Sequence, residues 1–344
     1  MTSKAFGLAQ LGNAYSDGAL SNRNKVINGA MTIDQRNAGA AVTVDGASGY
    51  SLDRYFSAEI GDGAFTVQQV SDAPSGFSKS LKVTVTTAQT GTLNAVTLQA
   101  IEGFNIADLG WGTASASPVT LSFWVKSSVT GTLGGALQNS PITESYPFTY
   151  TVSAADTWEY KTVNIAGPTT GTWASNNSTG ITLRFTHGTS TTGTAGAWAT
   201  ADTRGPTGAT YIITTSGATW QITGVQLEAG DTATPFEHRS YGQELALCQR
   251  YFQFVGGHAN SFPLWQSYYV SGNFAVWPMP FKAEMRASPT STIVGTWQTV
   301  NLSSLVILYT NNQGFSIGGN VSSTAMVEVY PNSSDDRLTF SAEL

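Results

Sequence analysis

Leu121-Ser122-Phe123-Trp124-Val125-Lys126 decides the class of this fold. Apolar Leu121, Phe123 and Val125 alternate with Ser122, Trp124 and Lys126. Successive side chains of a strand point to opposite sides, so such a segment has one core face and one outer face. The same period of two recurs in Leu81-Lys82-Val83-Thr84-Val85-Thr86 and in Ile181-Thr182-Leu183-Arg184-Phe185-Thr186. Further on, Trp220 and Ile222 alternate with Gln221 and Thr223, and Val225 and Leu227 with Gln226 and Glu228. Asp45-Gly46, Asp62-Gly63, Ser75-Gly76 and Gly167-Pro168 supply turns between such runs. No long amphipathic helix interrupts residues 26–236. Many short strands without helices predict a two-sheet sandwich or jelly roll.

Working outward, the one good helix signal follows the sandwich. Ser240 and Gln243 have the spacing of a capping box. Leu245, Cys248 and Phe252 then fall on one helical face, with Leu247 and Tyr251 beside it. So broad an apolar surface calls for burial on more than one side, which makes Leu245, Cys248 and Phe252 the candidate oligomer interface. Strand patterns return at 274–277, 293–294, 305–309, 326–330 and 338–340. The predicted organisation is an N-terminal attachment arm (1–24), a jelly-roll β-sandwich (25–238), a linker helix and strand (239–255) and a smaller C-terminal β domain (256–344). The arm is small and polar, with too little apolar surface for a core of its own; such arms order against a neighbour.

Composition narrows the function. Only 11% of residues are charged and the net charge is -6, so few cations are available to neutralise phosphates and nucleic-acid binding is not expected. Hydroxyls and amides dominate the polar surface, which suits uncharged partners such as glycans or other subunits. Cys248 is the single cysteine, so no intrachain disulfide forms, and its place among apolar neighbours reads as a packed thiol. The start lacks a signal-peptide h-region and no apolar run reaches membrane-span length, so the expectation is folding in a cytoplasm without membrane insertion. His187, His238 and His258 are scattered, with no metal-ligand spacing. No phosphate-binding glycine loop or nucleophile elbow is present. Asp335-Asp336 reads as a turn rather than a catalytic pair. No catalytic residue, metal or cofactor is therefore expected.

Three ordered blocks resemble tailed-bacteriophage fibre and tail-associated proteins. The first is Asn24-Lys25-Val26-Ile27-Asn28-Gly29-Ala30-Met31-Thr32-Ile33-Asp34-Gln35-Arg36, followed by Ser51-Leu52-Asp53-Arg54-Tyr55-Phe56. The second is Val225-Gln226-Leu227-Glu228-Ala229-Gly230, running on through Pro235-Phe236-Glu237, Tyr241-Gly242 and Leu247-Cys248-Gln249-Arg250-Tyr251-Phe252. The third is Met285-Arg286-Ala287-Ser288-Pro289-Thr290 with the terminal Ala342-Glu343-Leu344. The span 26–236 also looks like carbohydrate-binding-module jelly rolls, in which first and last strands pair. The resemblance implies a virion component assembled in the host cytoplasm. It implies a homotrimeric fibre or adhesin whose arm joins other virion proteins and whose C-terminal domain meets a host surface polysaccharide.

Sugar rings stack on aromatic faces while polar groups take the hydroxyls. The richest aromatic cluster is Phe262, Trp265, Tyr268, Tyr269, Phe274 and Trp277. Phe274 and Trp277 read as core or inter-subunit packing. Trp265, Tyr268 and Tyr269, after the loop Gly256-Gly257-His258-Ala259-Asn260, read either as packing or as glycan contacts, and Trp297 as a further loop candidate. Trp111, Trp173 and Trp198 lie amid Gly, Thr and Ser and read as caps on the sandwich. Three functional readings follow: a glycan-binding fibre or adhesin, a purely structural connector, baseplate or head-decoration protein, and a polysaccharide-degrading spike.

Overall fold

The computed structural model describes residues 22–258, 263–270 and 272–344. It divides into two compact units, 1–241 with Leu344, and 242–343. The expected arm lies outside the described residues up to position 21. Its last residues belong to the sandwich instead: Asn24 is buried, its Nδ2 donates to Val225 O (2.9 Å), and its Oδ1 accepts from Leu227 N (3.1 Å).

The first unit carries β1 (Val42–Asp45), β2 (Ser48–Leu52), β3 (Tyr55–Glu59), β4 (Ala64–Val70), β5 (Ser80–Thr87), β6 (Asn94–Glu102) and β7 (Val119–Ser127). It continues with β8 (Gly131–Gln138), β9 (Ser145–Val152), β10 (Glu159–Ile165), β11 (Thr179–Thr189), the two-residue β12 (Thr192–Gly193) and β13 (Gly205–Pro206), and β14 (Thr219–Ala229). Ten of the long strands and the short edges β1 and β2 form two antiparallel sheets, β1-β4-β5-β14-β7-β10 and β2-β3-β6-β11-β8-β9. This is the jelly-roll sandwich that the alternation predicts. Leu81, Val83, Leu121, Phe123, Val125, Ile181, Trp220 and Ile222 all have no exposed surface, and they fill the space between the sheets. Edge-to-face rings lock that core: Phe123 meets Tyr150 and Phe185 at 5.1 and 5.2 Å. The Trp220 indole N–H donates to the Tyr150 hydroxyl (3.0 Å), so the one polar end of each ring is satisfied.

The last strand does not pair with the first. β14 lies between β5 and β7, and β1 pairs with β4. The first four residues of β14, Thr219 to Ile222, pair with β5. Alongside its later residues runs the segment 24–29: Lys25 N donates to Leu227 O (2.8 Å) and Val225 N to Gly29 O (2.9 Å). A Cβ on Gly29 would lie 2.2 Å from Val225 O, so only glycine lets the two backbones meet here. Asn28 takes the left-handed conformation (φ 59) that the Asn28-Gly29 pair suggests.

The helix α1 (Tyr241–Gln249) starts one residue after Ser240 and is shorter than its sequence pattern. Phe252 opens a strand rather than a further helical turn. The second unit holds β15 (Phe252–Gly256), β16 (Trp265–Tyr269), β17 (Phe274–Pro280), β18 (Thr290–Val294) and β19 (Trp297–Val300). β20 (Val306–Thr310), β21 (Gly314–Asn320), β22 (Ala325–Pro331) and β23 (Arg337–Ser341) complete it. They form three antiparallel sheets of three strands, β15-β23-β18, β16-β22-β19 and β17-β21-β20. Ile317, Val327, Val329, Leu338 and Phe340 are its fully buried centre. The segment expected to be linker up to residue 255 therefore contributes β15, hydrogen-bonded to β23, to this unit.

Candidate functional site

The outer face of the first sheet carries an open groove of about 620 Å³. Alternation along β7 sends Leu121, Phe123 and Val125 inward and leaves Ser122 and Trp124 on the opposite face. Register then places Trp124 opposite Tyr160 of β10 on one side and opposite Thr223 of β14 on the other. The Trp124 and Tyr160 rings lie 5.4 Å apart, tilted by 50°, and Tyr160 is 45% exposed. Between Thr223 and Gln226 the β14 register shifts, at Gly224 with φ +62. A bulge of this kind re-aims the strand and makes room above it. The room is used by Phe77, whose ring tip would stand 2.6 Å from a Cβ at position 224. Phe77 meets Phe236 edge-on at 5.1 Å and lies 5.4 Å from the His238 ring. Aromatic groups from four distant stretches thus surround one groove, with Ser75, Ser122 and Thr234 as hydroxyls. Among the described residues no carboxylate, lysine or arginine lines it.

Both walls are braced by residues outside the lining. On one side Asp72 accepts from the Lys126 ammonium and from the Trp158 indole N–H (3.3 Å). The Ser80 hydroxyl donates to the Asp72 carbonyl (2.6 Å). The Lys126 hydrogen bond holds the Asp72 carboxyl below the usual carboxylate range; burial opposes this, and the Trp158 indole adds to it. Lys126 also stands 5.6 Å over the Trp158 ring. On the other side the buried Gln226 and Glu228 organise the segment before Phe236. Glu228 accepts from Thr234 N (2.9 Å) and Gln226 Oε1 from Glu237 N (2.8 Å). Glu237 in turn accepts from Asn24 N (2.9 Å). Much of the quoted block 225–237 therefore builds one wall.

The arrangement offers ring faces and hydroxyls, and His238 is the one imidazole in its lining. It suits binding of an uncharged, partly apolar ligand such as a sugar. The sequence signal that could have found it is Trp124 itself: a tryptophan on the polar side of a strictly alternating strand has no core to enter.

The sequence candidates in the second unit do not form one exposed cluster: Trp265 meets Trp297, and Tyr268 faces the other way. Trp265 to Tyr269 form the strand β16. Strand alternation turns Trp265 and Tyr269 to one side and Tyr268 to the other. Trp265 is only 5% exposed and packs in the core, 6.0 Å from Trp297, so its faces are already covered. Tyr269 is half-buried edge-on against Trp277 (5.6 Å) and its hydroxyl donates to Val276 O (3.3 Å). Trp297 is half-buried and donates to Val294 O (3.2 Å). Tyr268 alone stands out, 63% exposed, directly opposite Met326. Phe274, expected to pack, is 44% exposed. Phe262 lies outside the described residues. In the proposed interface set, Cys248 and Phe252 are buried within the single chain and Leu245 is half-buried. Cys248 and Phe252 are thus covered within the chain, where the helix stops at Gln249 and Phe252 turns into β15, while Leu245 keeps part of its surface open.

Other singled-out residues have architectural work. Trp111, Trp173 and Trp198 pack edge-to-face with one another at 4.8–5.5 Å. Each indole N–H donates to a backbone carbonyl, of Ser117, Thr170 and Ala166 respectively. The Asp336 carboxylate accepts from the backbone N–H of Thr296, Asn332 and Ser333 (2.8, 2.6 and 2.6 Å). Burial raises its pKa, but these bonds outweigh burial and hold it low. His187 is buried against Trp220, and burial pushes its imidazole down to about 3. No group of three or more His, Cys, Asp or Glu side chains is placed to hold a metal among the described residues.

No protein-family model matches the sequence, and no curated protein matches it. Solved structures with a similar arrangement include the enzymatically active domain of tailspike protein 4 of bacteriophage CBA120. That likeness has 14% identity over 62% of this chain and a TM-score of 0.33, and the chain spans only 22% of that domain. A putative sugar binding protein from Bacteroides thetaiotaomicron is similar at 10% identity over 60% of this chain and all of its own, with a TM-score of 0.33. The CBM22-1 xylan-binding domain of Paenibacillus barcinonensis Xyn10C is similar at 11% identity over 58% of this chain and 99% of its own, with a TM-score of 0.28.

Proposed function

We propose that this protein is a non-enzymatic glycan-binding component of a tailed-phage particle, and that the groove over Trp124 is where the glycan lies. The observation that carries the binding role is the convergence of Phe77, Trp124, Tyr160, Phe236 and His238 on an uncharged, open groove. Tyr160 and His238 are exposed while Phe77, Trp124 and Phe236 are half-buried, and the open ring faces match the C–H faces of sugars. The virion part of the reading rests on the ordered sequence blocks, with the arm joining neighbouring virion proteins. The test is binding of host surface polysaccharide by the whole protein and by Trp124→Ala. The variant loses one stacked ring, worth ~1 kcal/mol, so affinity falls roughly five- to tenfold at each site while thermal stability barely moves. Unchanged affinity in Trp124→Ala refutes the site.

A structural role within the particle draws on a different observation. Tyr268 and Met326, paired across β16 and β22, expose 63% and 41% of their surface, and Phe274 and Val276 of β17 are similarly exposed. Apolar faces of this kind are covered in assemblies, and the expected assembly is a homotrimer.

A further inference from the structure

We infer that the second unit carries its own glycan-binding groove, centred on Tyr309 and distinct from the one over Trp124; this rests on the glycan-binding reading above. Tyr309 is 76% exposed, the most exposed of the large apolar side chains among the described residues. It sits on β20 just past a register shift between Ile307 and Tyr309, and such a bulge re-aims a side chain. Its partner across the sheet is Ser316, which on its other side faces Pro278 of β17. The row Pro278–Ser316–Tyr309 therefore has two raised sides and a small polar floor. Phe315 and Ile317, the neighbours of Ser316, turn into the core, which fixes the floor from beneath.

The groove measures about 680 Å³, and its lining includes Pro280, Thr310, Asn311 and Gln313 but no charged side chain. Its upper end is rigid. Asn311 Oδ1 accepts from Gln313 N (2.8 Å) and Gly314 N (3.0 Å), and the turn is tied down again by Phe281 N to Gln313 O (2.9 Å). A Cβ on Gly314 would lie 2.4 Å from Met279 O, so the tight approach of turn to strand depends on glycine. A preformed site of one open ring, a hydroxyl and amides fits an uncharged oligosaccharide: the ring takes a C–H face and Ser316 and Gln313 take hydroxyls. The β17 edge disfavours an added peptide strand. β17 is an edge strand, and proline is tolerated there only where its missing N–H would face away from the neighbour. Pro278 and Pro280 thus remove two of the outward donors that strand addition requires.

The test uses the full chain and saturation-transfer NMR with neutral gluco-, manno- and xylohexaoses, comparing wild type, Trp124→Ala, Tyr309→Ala and the double variant. Ser316→Leu, which fills the floor without removing the ring, is a second probe. Tyr309 is a surface side chain, so equal melting temperatures are expected for all. The inference expects Trp124→Ala to keep part of the transfer, and Tyr309→Ala or Ser316→Leu in that background to weaken the remainder by roughly five- to tenfold. If Trp124→Ala alone abolishes all transfer and Tyr309→Ala changes nothing, the second groove is refuted and the first stands. Competition at Tyr309 by a proline-rich decapeptide also overturns the inference. If wild type shows no transfer from any hexaose, the glycan reading falls and takes this one with it.

Discussion

Gly224→Ala tests how the fold builds its groove. Position 224 has φ +62, a conformation that costs a residue with a Cβ about 1 kcal/mol or more. The added methyl would stand 2.6 Å from the tip of the Phe77 ring, against an ordinary contact near 3.5–4 Å. The ring must retreat by about an ångström, which strains its edge-on contact with Phe236, itself worth ~0.5–1.5 kcal/mol. Together these give ~1.5–2.5 kcal/mol, or roughly 3–10 °C in melting temperature for a unit of this size. Differential scanning calorimetry reads the loss, and titration with host polysaccharide reads the displaced wall as weaker binding. Phe77→Ala in the Gly224→Ala background removes the clash but leaves the backbone term, so the two changes must be non-additive by ~1 kcal/mol. A Gly224→Ala protein with unchanged melting and unchanged binding refutes the reasoning, as does simple additivity of the pair.

Trp265→Ala should unfold or strongly loosen the second unit, losing ~3–5 kcal/mol as a large core ring is deleted, measured by thermal or denaturant unfolding. Loss of binding with stability intact would restore it as a contact residue. Asp72 has a folded pKa below its ordinary value of 3.8, so its contribution is present above that value and is lost as pH falls through the depressed one. Its side chain is about half exposed, so the stability effect is small, but wall position should follow it. Glycan affinity should hold steady from pH 7 down to the ordinary carboxylate range and drop only below it, as Asp72 takes up its proton, and Asp72→Asn should show the weakened value throughout; identical pH profiles for the two proteins contradict this. Sedimentation should show about three times 36.2 kDa, and a clean monomer at micromolar concentration argues against the trimer.

The sandwich was legible in the sequence because strand alternation is a local property. Each of 81–86, 121–126 and 181–186 carries its own inside and outside, and the burial of Leu81, Phe123 and Ile181 follows directly. The helix was half legible. Its start could be read from Ser240, but its end depends on Phe252 pairing with Ser341 in β23, about ninety residues on, and no helical periodicity anticipates that. Trp265, Tyr268 and Tyr269 were read as one cluster because they are close in sequence. In a strand, closeness in sequence separates side chains onto opposite faces.

By itself the sequence determined that this chain is all-β, that Gly and Asn positions such as 28–29 make its tight approaches, and that its surface is polar with little charge. Only the tertiary structure decided which rings meet. Trp124 joins Tyr160 through the register of β7 with β10, and Phe77 joins Phe236 because Gly224 breaks the ladder beneath them. The reason is physical: the direction of a strand side chain is set by its neighbours along the chain, but its companions are set by hydrogen-bond register between strands far apart in sequence.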